Sequence, residues 1–409
     1  MSSSTIDLPD ELWFLVAEQF DLQNPIDETT VLNIRLTSSK FRDCGAKSFE
    51  RLFNEITVHL HPRSLSRVKE ISSHATLRTA VQKIFLSQLC IISPQELLWY
   101  SPTKANDPIV DKHRTLYEEQ LNMWTFSQIG SRDSRAVSSL LAEALRPFKN
   151  CHTVGLNDRP GLFPNKKIDV HECFLYDGSP ENEGFPSQEH YEPGMFFVLT
   201  QAVAIAGLAV TELRNSYDHH HDQILVNTQL PRTIVGQAFG QVNKLHLEMS
   251  VMTKSTFLRT FINNMHNLES FSFAILPQFE TRAKNLERTL PIIRLSKLRQ
   301  FSLKDLGIAF PPLEDFLTRH SESLREVKLL GVGILDPEQW KEVLKTLGHN
   351  KLLEKVAVEA RVYQEYYDSE YTPACQVEVH WDGPKVMTGD VHTQLDHAIT
   401  TFRIVRQEQ

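Results

Sequence analysis

Leu298-Arg299-Gln300-Phe301-Ser302-Leu303 and Leu324-Arg325-Glu326-Val327-Lys328-Leu329 carry apolar residues at the same three places, the first, fourth and sixth. The last two of each triplet stand two residues apart, and side chains two apart on an extended strand share one face. The residue between them, Ser302 or Lys328, faces the other way. Such a strand buries one side and leaves a polar one open. The triplet recurs on both sides of this pair. It appears as Phe53/Ile56/Val58, Val81/Ile84/Leu86, Cys151/Val154/Leu156, Val242/Leu245/Leu247 and Leu268/Phe271/Phe273 before it, and as Leu353/Val356/Val358 after it. One match means little, because with about a third of residues apolar roughly one window in twenty-seven shows it by chance. The recurrence is informative: third positions 247, 273, 303, 329 and 358 stand 26, 30, 26 and 29 apart.

Helices belong in the intervals. Asp336-Pro337-Glu338 precedes Trp340, Val343, Leu344 and Leu347, which predicts a helix capped by Asp336, with Pro337 in its first turn and an end at Gly348. Leu313, Phe316 and Leu317 predict another, as do Phe257, Leu258, Phe261, Ile262 and Met265, and Leu65, Val68 and Ile71. A strand followed by a helix at this period resembles a leucine-rich repeat, a solenoid whose strands line a concave sheet. The fold class expected is therefore α/β, an irregular strand-helix solenoid over residues 56–369. Two intervals are long, and insertions are expected at 94–147, with helical stretches Pro108–Phe126 and Ala136–Leu145, and at 157–194. Nine of the 38 residues from Asn157 to Gly194 are Pro or Gly, against 36 of 409 overall, which reads as a loop. Phe196–Leu208 as helix and Thr211–Asn215 as strand supply a weaker repeat. From Glu370 the period is lost; Gln376–Trp381 alternates like a strand and Val391–Phe402 like a helix, a terminal cap over 370–409.

The first fifty residues differ. Asp7-Leu8-Pro9-Asp10-Glu11-Leu12 places Pro where a helix may begin and acids in its first turn. Leu12, Val16 and Phe20 follow on one face, widened by Trp13, Leu15 and Ala17. Val31, Leu32, Ile34 and Leu36 predict a second short helix, and Ser38 or Ser39 caps a third carrying Phe41, Cys44, Phe49, Leu52 and Phe53. Leu8-Pro9-Asp10-Glu11-Leu12, Val16, Phe20, Leu32 to Leu36 and Ser39-Lys40-Phe41-Arg42 together resemble an F-box, a three-helix module over residues 6–55. The linker is longer than in compact F-boxes, and Phe41 stands where Trp is common. The resemblance implies docking of Leu8, Pro9, Leu12, Val16 and Phe20 on a Skp-family adaptor and, through it, a cullin. F-boxes followed by such repeats are numerous in fungi.

Composition narrows the partners. With 41% hydrophobic and 23% charged residues the chain of 409 residues can build a sizeable core. A net charge of -8 without a basic block argues against nucleic acid. The five cysteines form no CxxC pair, and no apolar run of about 18 residues offers a membrane span. No positive, apolar leader opens the sequence, so the expected location is cytoplasmic or nuclear. Neither phosphate-binding glycine motifs nor GxSxG or HExxH occur. Asp218-His219-His220-His221-Asp222 offers metal-ligand residue types, but neighbours in sequence point apart and a solvated loop is its assignment. Glu365 to Tyr371, acidic and aromatic, reads as an exposed loop. No cofactor, metal or catalytic residue is assigned.

The expected function is that of a substrate receptor in an SCF-type ubiquitin ligase, itself non-catalytic, with an unidentified protein target. The alternative is a repeat scaffold without ligase association. Target contact is expected on the open strand face: Arg214, His246, Ser272, Ser302, Lys328 and Ala357 in one row, with Lys304 and Lys355 among the flanking residues.

Overall fold

All eight triplets end in strands. A computed structural model describes residues 52–87, 114–120, 122–123, 135–157, 195–215, 232–249, 255–275, 283–334, 336, 338–362, 376–380 and 385–407. The strands are β1 (Glu55–Val58), β2 (Lys83–Ser87), β3 (Thr153–Asn157), β4 (Glu212–Asn215), β5 (Lys244–Met249), β6 (Ser270–Ile275), β7 (Gln300–Lys304), β8 (Glu326–Ile334) and β9 (Lys355–Val362). They lie side by side in chain order, every neighbouring pair parallel. The fold is thus mixed α/β around a parallel sheet. Residues 1–51, which carry the F-box resemblance, lie outside the described residues, as do 158–194, the histidine run at 218–222 and the segment 365–371.

The register shows why the spacing matters. Ile56, Ile84, Val154, Leu213, Leu245, Phe271, Phe301, Val327 and Val356 pair in one continuous line. Val58, Leu86, Leu156, Asn215, Leu247, Phe273, Leu303, Leu329 and Val358 form the next, and both lines are buried. The first apolar residue of each triplet lies in the turn before its strand. The residue just after it supplies a carbonyl that accepts two N–H groups from the following strand's entry. Asn54, Gln82, His152, Thr211, Asn243, Glu269, Arg299 and Arg325 all do so, at 2.7–3.2 Å. A one-residue slip would reverse every buried side chain, so eight equivalent double acceptors fix the register along the sheet. Val210 and Leu213 obey the rule in the weaker repeat, where Asn215 replaces the third apolar residue. Its Oδ1 accepts from the Leu156 N–H at 3.2 Å, which satisfies the oxygen of this buried amide.

Helices cover one side of the sheet. They are α1 (Pro62–Ser73), α2 (Ala75–Ala80), α3 (Arg135–Leu145), α4 (Met195–Ala206), α5 (Arg232–Phe239), α6 (Ser255–Asn263), α7 (Lys284–Thr289), α8 (Phe310–Arg319), α9 (Gln339–His349) and α10 (Val391–Thr401). Except for the short α2, each packs against the next: α1 on α3, α3 on α4, and so on to α10. Part of 94–147, read above as an insertion, therefore supplies α3, a member of this layer. The apolar α4 is buried along most of its length and contributes Phe196 to a cluster with Phe239 and Phe261, ring centroids 5.2–6.1 Å apart.

Three local expectations are corrected. Helix α9 begins at Gln339; Asp336 still accepts the Glu338 N–H at 3.1 Å, but from a turn before the helix. Gly348 lies within α9, and Asn350 closes it through an N–H to the Leu347 carbonyl. Nothing requires a glycine at 348, so the residue type alone misplaced the end. Ala357, expected on the open face, is 4% exposed. Its strand is flanked by β11 (Val386–Thr388), which pairs antiparallel with β9, and is contacted by β10 (Gln376–His380). β10 in turn pairs with β12 (Arg403–Gln407), and Asp390 caps α10 by accepting the Thr393 N–H at 3.1 Å.

Candidate functional site

Strand alternation places every second residue on the side of the sheet away from the helices. Arg214, His246, Ser272, Ser302 and Lys328 pair in register across β4 to β8 and are exposed or half-buried. At roughly 4.8 Å between strands the row spans about 19 Å. Two residues toward the chain start of each strand lies a second row, Glu212, Lys244, Ser270, Gln300, Glu326 and Lys355. Lys304, exposed, belongs to a third row with Glu248 and the buried Ala274.

The open region has defined limits. On β3 both corresponding residues are buried, Thr153 at 0% exposure and Gly155, and on β2 Phe85 is 4% exposed while Lys83 is half-buried. Beyond β8 the row ends at Ala357. The accessible window is therefore β4 to β8, and it contains the expected contact residues Arg214, His246, Ser272, Ser302, Lys304 and Lys328, with Lys355 at its rim.

Ion pairs close both ends of this window. Arg214 donates to Glu212 at 2.8 Å. At the other end Glu326 lies 2.9 Å from the Lys328 ammonium and 3.4 Å from that of Lys355. Burial pushes the Glu326 carboxyl up, but the two lysines outweigh it and hold the group below its ordinary value. Ser270, Ser272, Gln300 and Ser302 make no side-chain hydrogen bond among the described residues, and exposed Lys244 makes no ion pair there. Glu212, Arg214, Lys244, His246, Glu248, Ser270 and Ser272 border a shallow depression of about 510 Å³.

His246 sits half-buried at its centre. Burial lowers its pKa; the Glu248 and Glu212 carboxylates raise it, and Arg214 and Lys304 lower it, with a net depression. The imidazole is neutral at pH 7 and offers one donor and one acceptor. Chemically, the window offers hydroxyls, an amide, an imidazole and a free ammonium, a set suited to hydrogen-bonded contact with a polar surface. Sequence reasoning named the central row but did not assign Lys244, Ser270 or Glu248 to the site. The same two-residue period carried them, one step to either side. Among the described residues no group of three or more His, Cys, Asp or Glu could hold a metal, and no helix is long and apolar enough to cross a membrane. Leu8, Pro9, Leu12, Val16 and Phe20 lie outside the described residues. No protein-family model matches the chain, and no curated protein matches it.

Proposed function

We propose that this protein is the substrate-recognition subunit of an SCF-type cullin-RING ubiquitin ligase. In this reading residues 6–55 form an F-box that docks on a Skp-family adaptor through Leu8, Pro9, Leu12, Val16 and Phe20, and the strand-helix array is an irregular leucine-rich repeat that holds a target protein. The chain itself catalyses nothing; it brings a target to a cullin-bound enzyme.

The observation that carries the reading is the in-register polar row from Arg214 to Lys328, open on a sheet whose other side is sealed by helices. A fold that advances one strand per repeat presents an extended surface, the geometry repeat proteins use for protein partners. The eight repeated double-acceptor carbonyls support kinship among the repeats independently of the apolar triplets. The Leu-Pro-Asp-Glu-Leu opening and the apolar breadth of the helix after it support the adaptor-binding role.

Co-expression with a Skp-family adaptor tests the reading. The wild-type chain is expected to recover the adaptor, and Leu12→Asp to lose it, because a carboxylate forced into a desolvated apolar interface costs several kcal/mol. Equal recovery by both proteins, or none by the wild type, contradicts the assignment.

A further inference from the structure

We infer that the middle of the open face, over β6 and β7, receives an extended, uncharged segment of the target protein whose alternate side chains are carboxamides, Asn or Gln. The inference rests on the receptor function proposed above and specifies the chemistry of its target.

Charge is balanced on this face. In the three rows from β4 to β9 the cations are Arg214, Lys244, Lys304, Lys328 and Lys355, and the carboxylates are Glu212, Glu248, Glu326 and Glu359. Asp305, 3.6 Å from Lys304, makes the two sets equal. Opposite charges also stand close together. Glu212 lies 2.8 Å from Arg214, and Glu326 2.9 and 3.4 Å from Lys328 and Lys355. Lys244 and Glu248 occupy the two ends of the open side of β5, about 13 Å apart at roughly 3.3 Å per residue. A segment of either sign therefore meets as much repulsion as attraction, and burying its charges would go uncompensated.

The centre of the face carries no charge at all. Ser270 and Ser272 on β6 pair in register with Gln300 and Ser302 on β7. All four side chains are half-buried or exposed, and none makes a side-chain hydrogen bond among the described residues. They form a two-by-two patch, about 4.8 Å between strands and about 6.6 Å between same-face residues along each strand. Every hydroxyl here can donate and accept, and the Gln300 amide offers two donors and an acceptor. An ammonium only donates and an ionised carboxylate only accepts, whereas a carboxamide does both and can meet Gln300 at two points. An extended segment lying along β6 repeats its same-face side chains at the same spacing of about 6.6 Å, so alternate carboxamides fall on successive members of the patch. An apolar segment would leave three hydroxyls and an amide desolvated without partners, which is costly.

The test uses the full chain and fluorescence anisotropy. The probe is a labelled peptide of about ten residues alternating Gln and Ser, with counterparts in which Glu, Lys, Glu and Lys in turn, or Leu replaces the Gln residues. The Gln peptide is expected to bind, with affinity changing less than about twofold between about 0.05 and 0.5 M salt, because no charge pair is there to be screened. Each counterpart is expected to bind at least about tenfold more weakly. Ser272→Asp combined with Ser302→Asp is expected to weaken the Gln peptide by at least about tenfold, and Gln300→Ala by about fivefold. Lys284→Glu, exposed on α7 in the helix layer, is expected to change nothing. Circular dichroism and urea midpoints check folding, and should the aspartate variant be destabilised, Gln300→Ala, at an exposed position, decides the matter. The inference is overturned if the Gln peptide fails to bind, if any counterpart binds as tightly, or if the folded variants bind as wild type. Adaptor recovery measured on the same proteins separates the two readings: retained adaptor without Gln-peptide binding removes only this inference, and Gln-peptide binding without adaptor removes only the ligase assignment.

Discussion

His320 illustrates how one buried polar residue joins two repeats. It is 3% exposed, its Nδ1–H donates to the Phe316 carbonyl at 2.8 Å, and its Nε2 accepts from the Leu295 N–H at 3.2 Å. Both ring nitrogens are satisfied only in the neutral form, since a protonated Nε2 would face a donor. Burial lowers its pKa, and so does Arg294, against the opposing effects of the Phe316 carbonyl and Asp315. His61 is lowered chiefly by burial as well; its Nε2–H donates to the Leu116 carbonyl at 3.0 Å and its Nδ1 accepts from Arg63. The unfolded chain therefore takes up protons first. The stability these histidines contribute is complete above the ordinary value of 6.5 and is lost as pH falls below it toward their depressed values. Urea midpoints are expected to fall between about pH 7.5 and 5.5, and to fall less in His320→Gln. An identical drop in the variant would show that His320 does not titrate in this window. Cys151 represents the opposite case: burial pushes its thiol up to about 12, with only weak relief from backbone contacts, so it behaves as an inert core residue.

At the scale of the elements, β3 and β4 leave no room for a side chain at Gly155. A Cβ on Gly155 would overlap the Arg214 carbonyl oxygen and come within 3.1 Å of Phe85 Cε1. The obstacle is backbone, which cannot rotate away as a side-chain tip can. Gly155→Ala is therefore expected to destabilise the protein by about 2 kcal/mol or more, the range of an overpacked core position, read as a lower urea midpoint at unchanged slope. Unchanged stability would mean that the two strands are less tightly joined than described here. Much of this level was legible in sequence. The strands were legible because apolar side chains two apart and a third buried residue three before them impose a pattern that local residues alone satisfy. Helices α6, α8 and α9 were legible through their apolar faces, as at Leu313, Phe316 and Leu317, whereas α5 was not expected. Helix ends were less so. Asp336, Pro337 and Gly348 carry the residue types of helix boundaries, yet backbone conformation two residues further on sets where α9 starts and stops. The short helices α2 and α7 escaped notice, since six residues cover too few turns for periodicity to stand out.

For the whole molecule, what the sequence could not convey is which parts of the open face remain open. Ser272 and Ala357 occupy the same row and obey the same alternation. The strands that return against β9 lie beside Ala357, and those are set by segments distant in sequence. Phe85, Gly155 and Ala357 did carry a local signal, being apolar or without a side chain where Arg214, His246, Ser272, Ser302 and Lys328 are polar, and they mark where the row is covered. The structure also refines how the face should be probed. Reversing Lys328 or Lys355 would strand Glu326 among like charges and confuse binding with stability, whereas Ser272 and Ser302 make no side-chain hydrogen bond among the described residues. The central claim is that one chain carries two separable docking surfaces, an N-terminal one for an adaptor and a sheet face for a target. Quantitative affinity purification with mass spectrometry, comparing wild type with Leu12→Asp and with Ser272→Trp/Ser302→Trp, addresses it most directly. The expected result is a double dissociation: Leu12→Asp loses adaptor and cullin while keeping the target, and the tryptophan variant loses the target while keeping adaptor and cullin. Loss of both sets of partners in either folded variant, or of neither in both, would contradict the account.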